Sequence, residues 1–166
     1  MAKLATLHDI FEHEILDLHS AEEQLIKALP MMADKATNSE LKNGFIKHLD
    51  QTKYQLERLK TICKDMEFDT SKKETCKAME GILKEAIETL EKSANNDATD
   101  VILALSASRI EHYEISGYTS AIAHAECMGH DDAVELLNET LIEENEAEEM
   151  ISNLSENELN DKANDM

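Results

Sequence analysis

The stretch VILALSASRIEHYEISGYTSAIAHA, residues 101–125, has the apolar spacing of one face of an α-helix. Glu111 and Glu114 interrupt that face at its middle. Residues 133–154 repeat the arrangement, with Glu144 and Glu148 standing where the next apolar residues should be. Burying ionised carboxylates in a helix bundle is costly unless a cation compensates them. The two stretches therefore predict facing helices with a metal site between them.

The composition favours a single all-α domain. The chain has 166 residues, with four Gly, one Pro and no Trp, and it is rich in Leu, Ala, Ile, Glu and Lys. This length supports one hydrophobic core rather than two. We expect one helical domain over residues 1–155 and a frayed polar tail over residues 156–166.

The net charge limits the kinds of partner that the protein can bind, and the cysteines indicate its cellular compartment. The net charge is −20, from 36 acidic and 16 basic residues, which argues against nucleic acid or an anionic membrane as a partner. No apolar run reaches the roughly 20 residues of a membrane span. Three widely spaced cysteines without a CxxC pair, and an N-terminus unlike a signal peptide, predict a cytoplasmic protein.

Helix caps and apolar periodicity together predict five helices. The first is expected over residues 7–35, opened by Thr6 and Asp9 and kinked at Pro30. The second helix is expected to begin with a capping box at residues 37–40, and the third to span residues 72–92. The fourth should start at Asp97 or Thr99 and end at Gly129, and Asp131 should cap the fifth.

The spacing of these helices predicts their topology. Short connections at 36–38 and 129–130 make two antiparallel hairpins, and the third helix lies in the connection between them. Two long hairpins packed together with such a crossover form a ferritin-like four-helix bundle.

Residues equally far from a hairpin turn lie side by side, because every helical residue rises by the same amount. Counted from Met128 and Asp131, the two ends of the turn, Glu114 and Glu144 are almost equally distant along the chain. Glu111 and Glu148 are equally distant from the same two ends, about one helical turn further away. The four carboxylates should therefore form a cluster with two levels.

The first hairpin is expected to complete this cluster. Glu22 and Gln51 are equally distant along the chain from Lys35 and Asn38, and His48 lies one turn away from Gln51 on the same helix. Di-iron bundles usually have one Glu on each of two helices and a Glu-x-x-His pair on each of the others, so this set is not standard. The candidate metal ligands are Glu22, His48, Gln51, Glu111, Glu114, Glu144 and Glu148.

Five stretches together resemble the YciF/YciE family of bacterial stress proteins: SAEEQL (20–25), HLDQT (48–52), AMEG (78–81), EHYEISGY (111–118) and LIEE (141–144). The resemblance implies a ferritin-like, rubrerythrin-resembling bundle, a dimetal site and a role in stress, with no settled activity. It also implies metal ligands at Glu22, Glu114 and Glu144, with Glu111 nearby.

The chain departs from this family pattern at Gln51, where members typically have Glu. An amide oxygen is neutral, is a weaker ligand, and cannot bridge two metals as a carboxylate does. The expected consequences are a site that holds one metal, binds more weakly, recruits Asp50 or His48, or is vestigial.

Two functions from different classes fit these residues. Oxygen-rich ligands with at most one imidazole suit iron, manganese or another divalent ion, one or two per chain, and argue against structural zinc. With iron, the expected chemistry is oxidation by a small-molecule oxidant, peroxide or oxygen, by analogy of fold.

The alternative is a non-enzymatic structural or interaction protein whose site is degenerate and holds no metal. Either protein is expected to form a homodimer; whether the chain is an enzyme stays open, and no catalytic residue is assigned.

Overall fold

Helices form nearly all of the chain that the computed structural model describes, residues 4–94 and 96–164. A 3₁₀ turn at Thr70–Lys72 precedes α3, and a π-helical segment at Ser155–Leu159 joins α5 to α6. The all-α prediction is confirmed. The α-helices are α1 (Leu7–Lys35), α2 (Ser39–Asp65), α3 (Lys77–Leu90), α4 (Asp97–Met128), α5 (Asp131–Leu154) and α6 (Asn160–Asn164).

Local sequence signals set the start of α1 and the end of α4, as predicted. The Thr6 hydroxyl accepts a hydrogen bond from the Asp9 backbone N–H at 3.1 Å, and the Asp9 carboxylate accepts one from the Thr6 N–H at 2.9 Å. This reciprocal pair is the predicted capping box. Helix α1 continues through Pro30, and α4 ends at Gly129, which has the left-handed φ of 75° that a glycine adopts without steric cost.

Three other caps differ from the prediction by one to three residues. Asn38, rather than Thr37, caps α2, because the Thr37 N–H and hydroxyl are both bound to the Asp100 carboxylate. Asn96 caps α4 through the Ala98 N–H. Asp131 is the first helical residue of α5 instead of its cap.

Helix α3 is shorter than the predicted 72–92. The Asp69 carboxylate accepts hydrogen bonds from the backbone and hydroxyl of Ser71, and this holds the preceding segment in a separate turn. The Cys76 backbone N–H donates to the Ser20 hydroxyl of α1 at 2.8 Å, and α3 starts at the next residue. The start of α3 is thus set by a tertiary contact.

The segment predicted to be a frayed tail is helical as far as Asn164. Leu159 is buried in the core, and the Asn38 amide donates to the Glu158 carboxylate at 2.7 Å. These two contacts tie the end of the chain to the start of α2. Residues 165–166 of the predicted tail lie outside the described residues.

The long helices pack as the two predicted hairpins, α1 with α2 and α4 with α5. The hairpins meet through α1 against α4 and α2 against α5, while α3 packs on α1 and α4. This is the predicted four-helix bundle with an extra helix in its connection. Among the described helices, none is both long and apolar enough to cross a membrane.

The bundle interior consists of two apolar clusters with polar residues between them. Along α1, one cluster contains Phe11, Ile15 and Leu18, and the other contains Ala21, Leu25 and Leu29. In the same way, α4 contributes residues 103–110 to one cluster and 118–125 to the other. The buried polar side chains between the clusters form a layer, which we call the polar layer: Glu22, His48, Thr52, Gln55, Glu111, Glu114, Thr140 and Glu144.

Candidate metal centre

Three helices bring four titratable side chains of the polar layer together. His48 of α2, Glu111 and Glu114 of α4, and Glu144 of α5 each offer a ligand atom, and these atoms all lie within 4.8 Å of one another. His48 Nε2 lies 3.4 Å from Glu111 Oε1 and 3.6 Å from a Glu144 oxygen. All four residues are buried, with at most 5% exposure. The helical periodicity explains the geometry, because these residues continue the apolar stripes of their helices.

Glu22 adds a side chain from the remaining long helix, α1. It is fully buried, and the Tyr118 hydroxyl donates a hydrogen bond to its Oε1. Its charge acts on Glu111 and Glu114, raising the pKa of both carboxyls. All four long helices therefore contribute to one carboxylate-rich centre.

Many polar atoms in this centre lack a hydrogen-bond partner among the described residues. They include both nitrogens of His48, both carboxylate oxygens of Glu114 and of Glu144, and one oxygen each of Glu22 and Glu111. Buried polar atoms are nearly always paired in folded proteins, and unpaired carboxylates are among the costliest exceptions. A cation bound between these atoms would remove that cost.

The electrostatics of the metal-free centre follow from its burial. Burial raises the pKa of Glu22, Glu111 and Glu114 well above its ordinary value, and the neighbouring carboxylates raise it further. Burial likewise raises the pKa of Glu144 to about 7. Burial lowers the pKa of His48 to about 4, so its ring is neutral at pH 7 and keeps a lone pair for a metal ion. Metal binding at this centre would release protons.

A salt-bridge network borders the centre on one side. The Arg58 guanidinium binds the Glu143 carboxylate in bidentate fashion, at 2.7 and 2.9 Å, and also contacts Glu139 at 3.0 Å. The positive charge of Arg58 lowers the pKa of Glu22 and Glu144, against the larger effect of burial. Arg58 is thus the protein's own partial compensation for the buried acids.

Two of the predicted ligands lie at the edge of the centre. Gln51 is only partly buried, although it is near enough to His48 to affect the pKa of the ring. Glu148 is 22% exposed and accepts a hydrogen bond from the Ser152 hydroxyl at 2.5 Å. The structure brings together Glu22, His48, Glu111, Glu114 and Glu144, and leaves Gln51 and Glu148 outside that group.

Gln55 is fully buried in the polar layer, although it was not among the ligands predicted from the sequence. It lies about two full helical turns after His48 and so points in nearly the same direction. Gln51, less than one turn after His48, is rotated roughly 60° away from that face. The available signal was the stripe of Leu41, Phe45, His48, Thr52, Gln55 and Leu59, in which Gln55 holds a core position.

The chain resembles known proteins over almost its whole length. A model of the DUF892 family, described as a domain of unknown function, matches residues 6–164. Protein YciF of Escherichia coli strain K12 is 36% identical over 160 residues, covering 96% of each chain.

Solved structures agree with this relationship. The crystal structure of the E. coli stress protein YciF superimposes with a TM-score of 0.88 at 35% identity, covering 95% of this chain and 99% of that one. YcfI of Rhodopseudomonas palustris has a TM-score of 0.87 at 37% identity, with 90% and 95% covered. A protein from Xanthomonas campestris pv. campestris shares the fold alone, at 16% identity and a TM-score of 0.70 over 91% and 92% of the two chains. The chain belongs to the DUF892 family and is of the YciF type.

Proposed function

We propose that this protein binds one or two divalent metal ions in the centre of its bundle and serves a stress response through that site. The observation that carries the proposal is the convergence of three buried glutamates and a neutral histidine within 4.8 Å, with the buried Glu22 beside them. Most of their polar side-chain atoms have no hydrogen-bond partner among the described residues. The stress role comes from the relative YciF, which is described as a stress protein.

Charge balance supports a site for up to two ions. Glu22, Glu111, Glu114 and Glu144 carry four negative charges when ionised, which two divalent cations would neutralise. A single ion would leave two carboxyls that must hold protons, consistent with their raised pKa. Carboxylate oxygens with one imidazole suit iron or manganese.

The residues of the chain would hold the metal and control its surroundings. His48 offers a neutral nitrogen, and Glu111, Glu114 and Glu144 offer oxygens from two helices. Tyr118 fixes Glu22 and holds a proton at its hydroxyl oxygen beside that carboxylate. The apolar clusters on either side exclude bulk water from the layer. If the site binds iron, the chemistry expected by analogy of fold is the oxidation of Fe(II) by peroxide or oxygen.

The test of this redox function is the rate of Fe(II) oxidation after anaerobic loading. Wild-type protein should consume added peroxide or oxygen faster than an equal concentration of free Fe(II), and Glu114→Gln should lose the acceleration. Glu149→Ala, which removes an exposed acid from α5, is the matched control and should behave as wild type. An iron-loaded protein that oxidises no faster than free Fe(II) would contradict the redox function.

A second candidate is a non-enzymatic structural or interaction protein, a homodimer with a degenerate site. It is favoured by the neutral, partly exposed Gln51 and by the single imidazole in the cluster. It predicts that the folded protein takes up no metal, and that Glu144→Ala leaves stability equal or higher because a buried charge is removed.

A further inference from the structure

The Gln55 side chain is oriented by a network that lies outside the cluster of four ligands. Its amide nitrogen donates to the Glu143 carboxylate at 3.1 Å, and two of the three nitrogens of the Arg58 guanidinium donate to that same carboxylate. An ionised carboxylate only accepts hydrogen bonds, so the amide nitrogen must face Glu143. The orientation of the amide is therefore fixed by chemistry.

With its nitrogen bound to Glu143, the Gln55 amide leaves its oxygen free within the polar layer. Gln55 is 0% exposed, and its Oε1 has no hydrogen-bond partner in the described part of the chain. Contact with the Gln55 side chain also lowers the pKa of the Glu144 carboxyl, so the amide lies next to that candidate ligand. An unpaired amide oxygen costs free energy in a protein interior, as the unpaired carboxylates beside it do.

We propose that Gln55 is a ligand of the metal centre and that its Oε1 binds the ion held by Glu144 and His48. This inference rests on the proposed metal binding. A neutral oxygen ligand suits a hard divalent cation such as Mn²⁺ or Fe²⁺, and it adds no charge to a site that already contains four carboxylates. Glu143 and Arg58 act as positioning residues, because they hold the amide through its nitrogen.

The test compares the buried amide of Gln55 with an exposed amide elsewhere in the bundle. Gln55→Leu should weaken Mn²⁺ binding at least about tenfold by isothermal titration, as expected for loss of a ligand or its support. Asn138→Leu, which removes an exposed amide from α5, should bind within about twofold of wild type.

A spectroscopic readout separates a ligand from a residue that only packs. The visible absorption of bound Co²⁺ depends on the number and type of its ligands, so Gln55→Leu should change the band and Asn138→Leu should not. Circular dichroism and thermal unfolding of the metal-free variants check that each one folds.

The outcomes distinguish the two proposals. If wild-type protein binds no divalent metal, the proposed function fails. If wild type binds Mn²⁺ and Gln55→Leu binds equally well with an unchanged Co²⁺ spectrum, only the assignment of Gln55 is overturned. Equal losses of Mn²⁺ binding in the Asn138 and Gln55 variants would also overturn it.

Discussion

At the scale of single residues, the feature that dominates this protein is the burial of several acidic side chains in one layer of the bundle. The pKa of Glu144 is raised from 4.5 to about 7, and burial raises that of Glu22, Glu111 and Glu114 as well. A folded-state pKa above the unfolded value means that the native state binds more protons over that interval. These carboxyls therefore destabilise the metal-free protein at high pH.

In the metal-free protein, the Glu144 carboxyl alone should raise the stability by roughly 1–3 kcal/mol as the pH falls from about 7.5 to about 5.5. The other three buried glutamates should act in the same direction. The loss of stability caused by a buried carboxyl is fully present above its folded-state pKa. It disappears as the pH falls towards the unfolded-state pKa of 4.5. His48 acts in the opposite direction, because its pKa is lowered from 6.5 to about 4, but one imidazole opposes four carboxyls. Urea unfolding at three pH values measures the effect.

Glu144→Gln is the control for this pH dependence, since acid also relieves repulsion on a surface with a net charge of −20. The variant should gain less stability over the same interval than wild type. With saturating metal the sign should reverse, because protons then compete with the ion for the ligands. A metal-free stability that is flat or decreases on acidification would contradict the account.

The sequence predicted most of this centre because charge in an apolar stripe is a visible signal. Glu22, Glu111, Glu114 and Glu144 interrupt such stripes, and the structure buries all four. Gln55 was missed because an uncharged side chain at a core position gives no comparable signal. Glu148 lies at the same distance from the hairpin turn as Glu111, but its direction around the helix axis leaves it partly exposed. The spacing from the turn does not specify that direction.

At the scale of helices, a Gly→Ala substitution should change the stability in opposite directions at two positions. Gly129→Ala should destabilise the protein by about 1 kcal/mol, because φ of 75° at the end of α4 disfavours a side chain. Gly81→Ala should be neutral or stabilising by up to about 1 kcal/mol, because it lies within α3 and an added Cβ meets nothing within 4 Å. Chemical denaturation measures both, and equal signs would contradict the assigned backbone conformations.

Asp100 of α4 joins the two hairpins by capping the turn between α1 and α2. Its buried carboxylate accepts hydrogen bonds from the Thr37 N–H at 2.8 Å, the Thr37 hydroxyl at 2.5 Å and the Asn38 N–H at 2.9 Å. Asp100→Ala should cost roughly 1–3 kcal/mol of unfolding free energy, because three donors lose a charged acceptor. Asp97→Ala, at an exposed acid in the same helix turn, should have a much smaller effect. Equal losses of stability in the two variants, measured by urea unfolding, would contradict this role of Asp100.

This contact also shows which helix boundaries could be predicted. The start of α1 depends on Thr6 and Asp9 alone, and the sequence located it correctly. The start of α2 differs from the prediction because Thr37 binds Asp100, which is 63 residues away in the sequence. Helix α3 begins where Cys76 contacts Ser20, which is 56 residues away. Boundaries set by distant partners are not encoded in the neighbouring residues.

At the scale of the whole molecule, the fold resembles two hydrophobic cores joined by a polar layer. Each apolar cluster draws on all four long helices, and the layer crosses the bundle where Glu22, His48, Glu114 and Glu144 meet. A continuous apolar core would be the more stable solution for a bundle of this size. The buried acids that cross this section are the feature on which the proposed metal binding rests.

The most direct test of this account is the metal content of each chain by elemental mass spectrometry. Protein purified without chelator or affinity metal would be measured as isolated and after anaerobic Fe(II) addition and desalting. Wild type and the Glu149→Ala control should retain one to two ions per chain, and Glu144→Ala should lose them while remaining folded. A folded wild-type protein that retains no metal, or a Glu144→Ala variant that retains as much as wild type, would contradict the account.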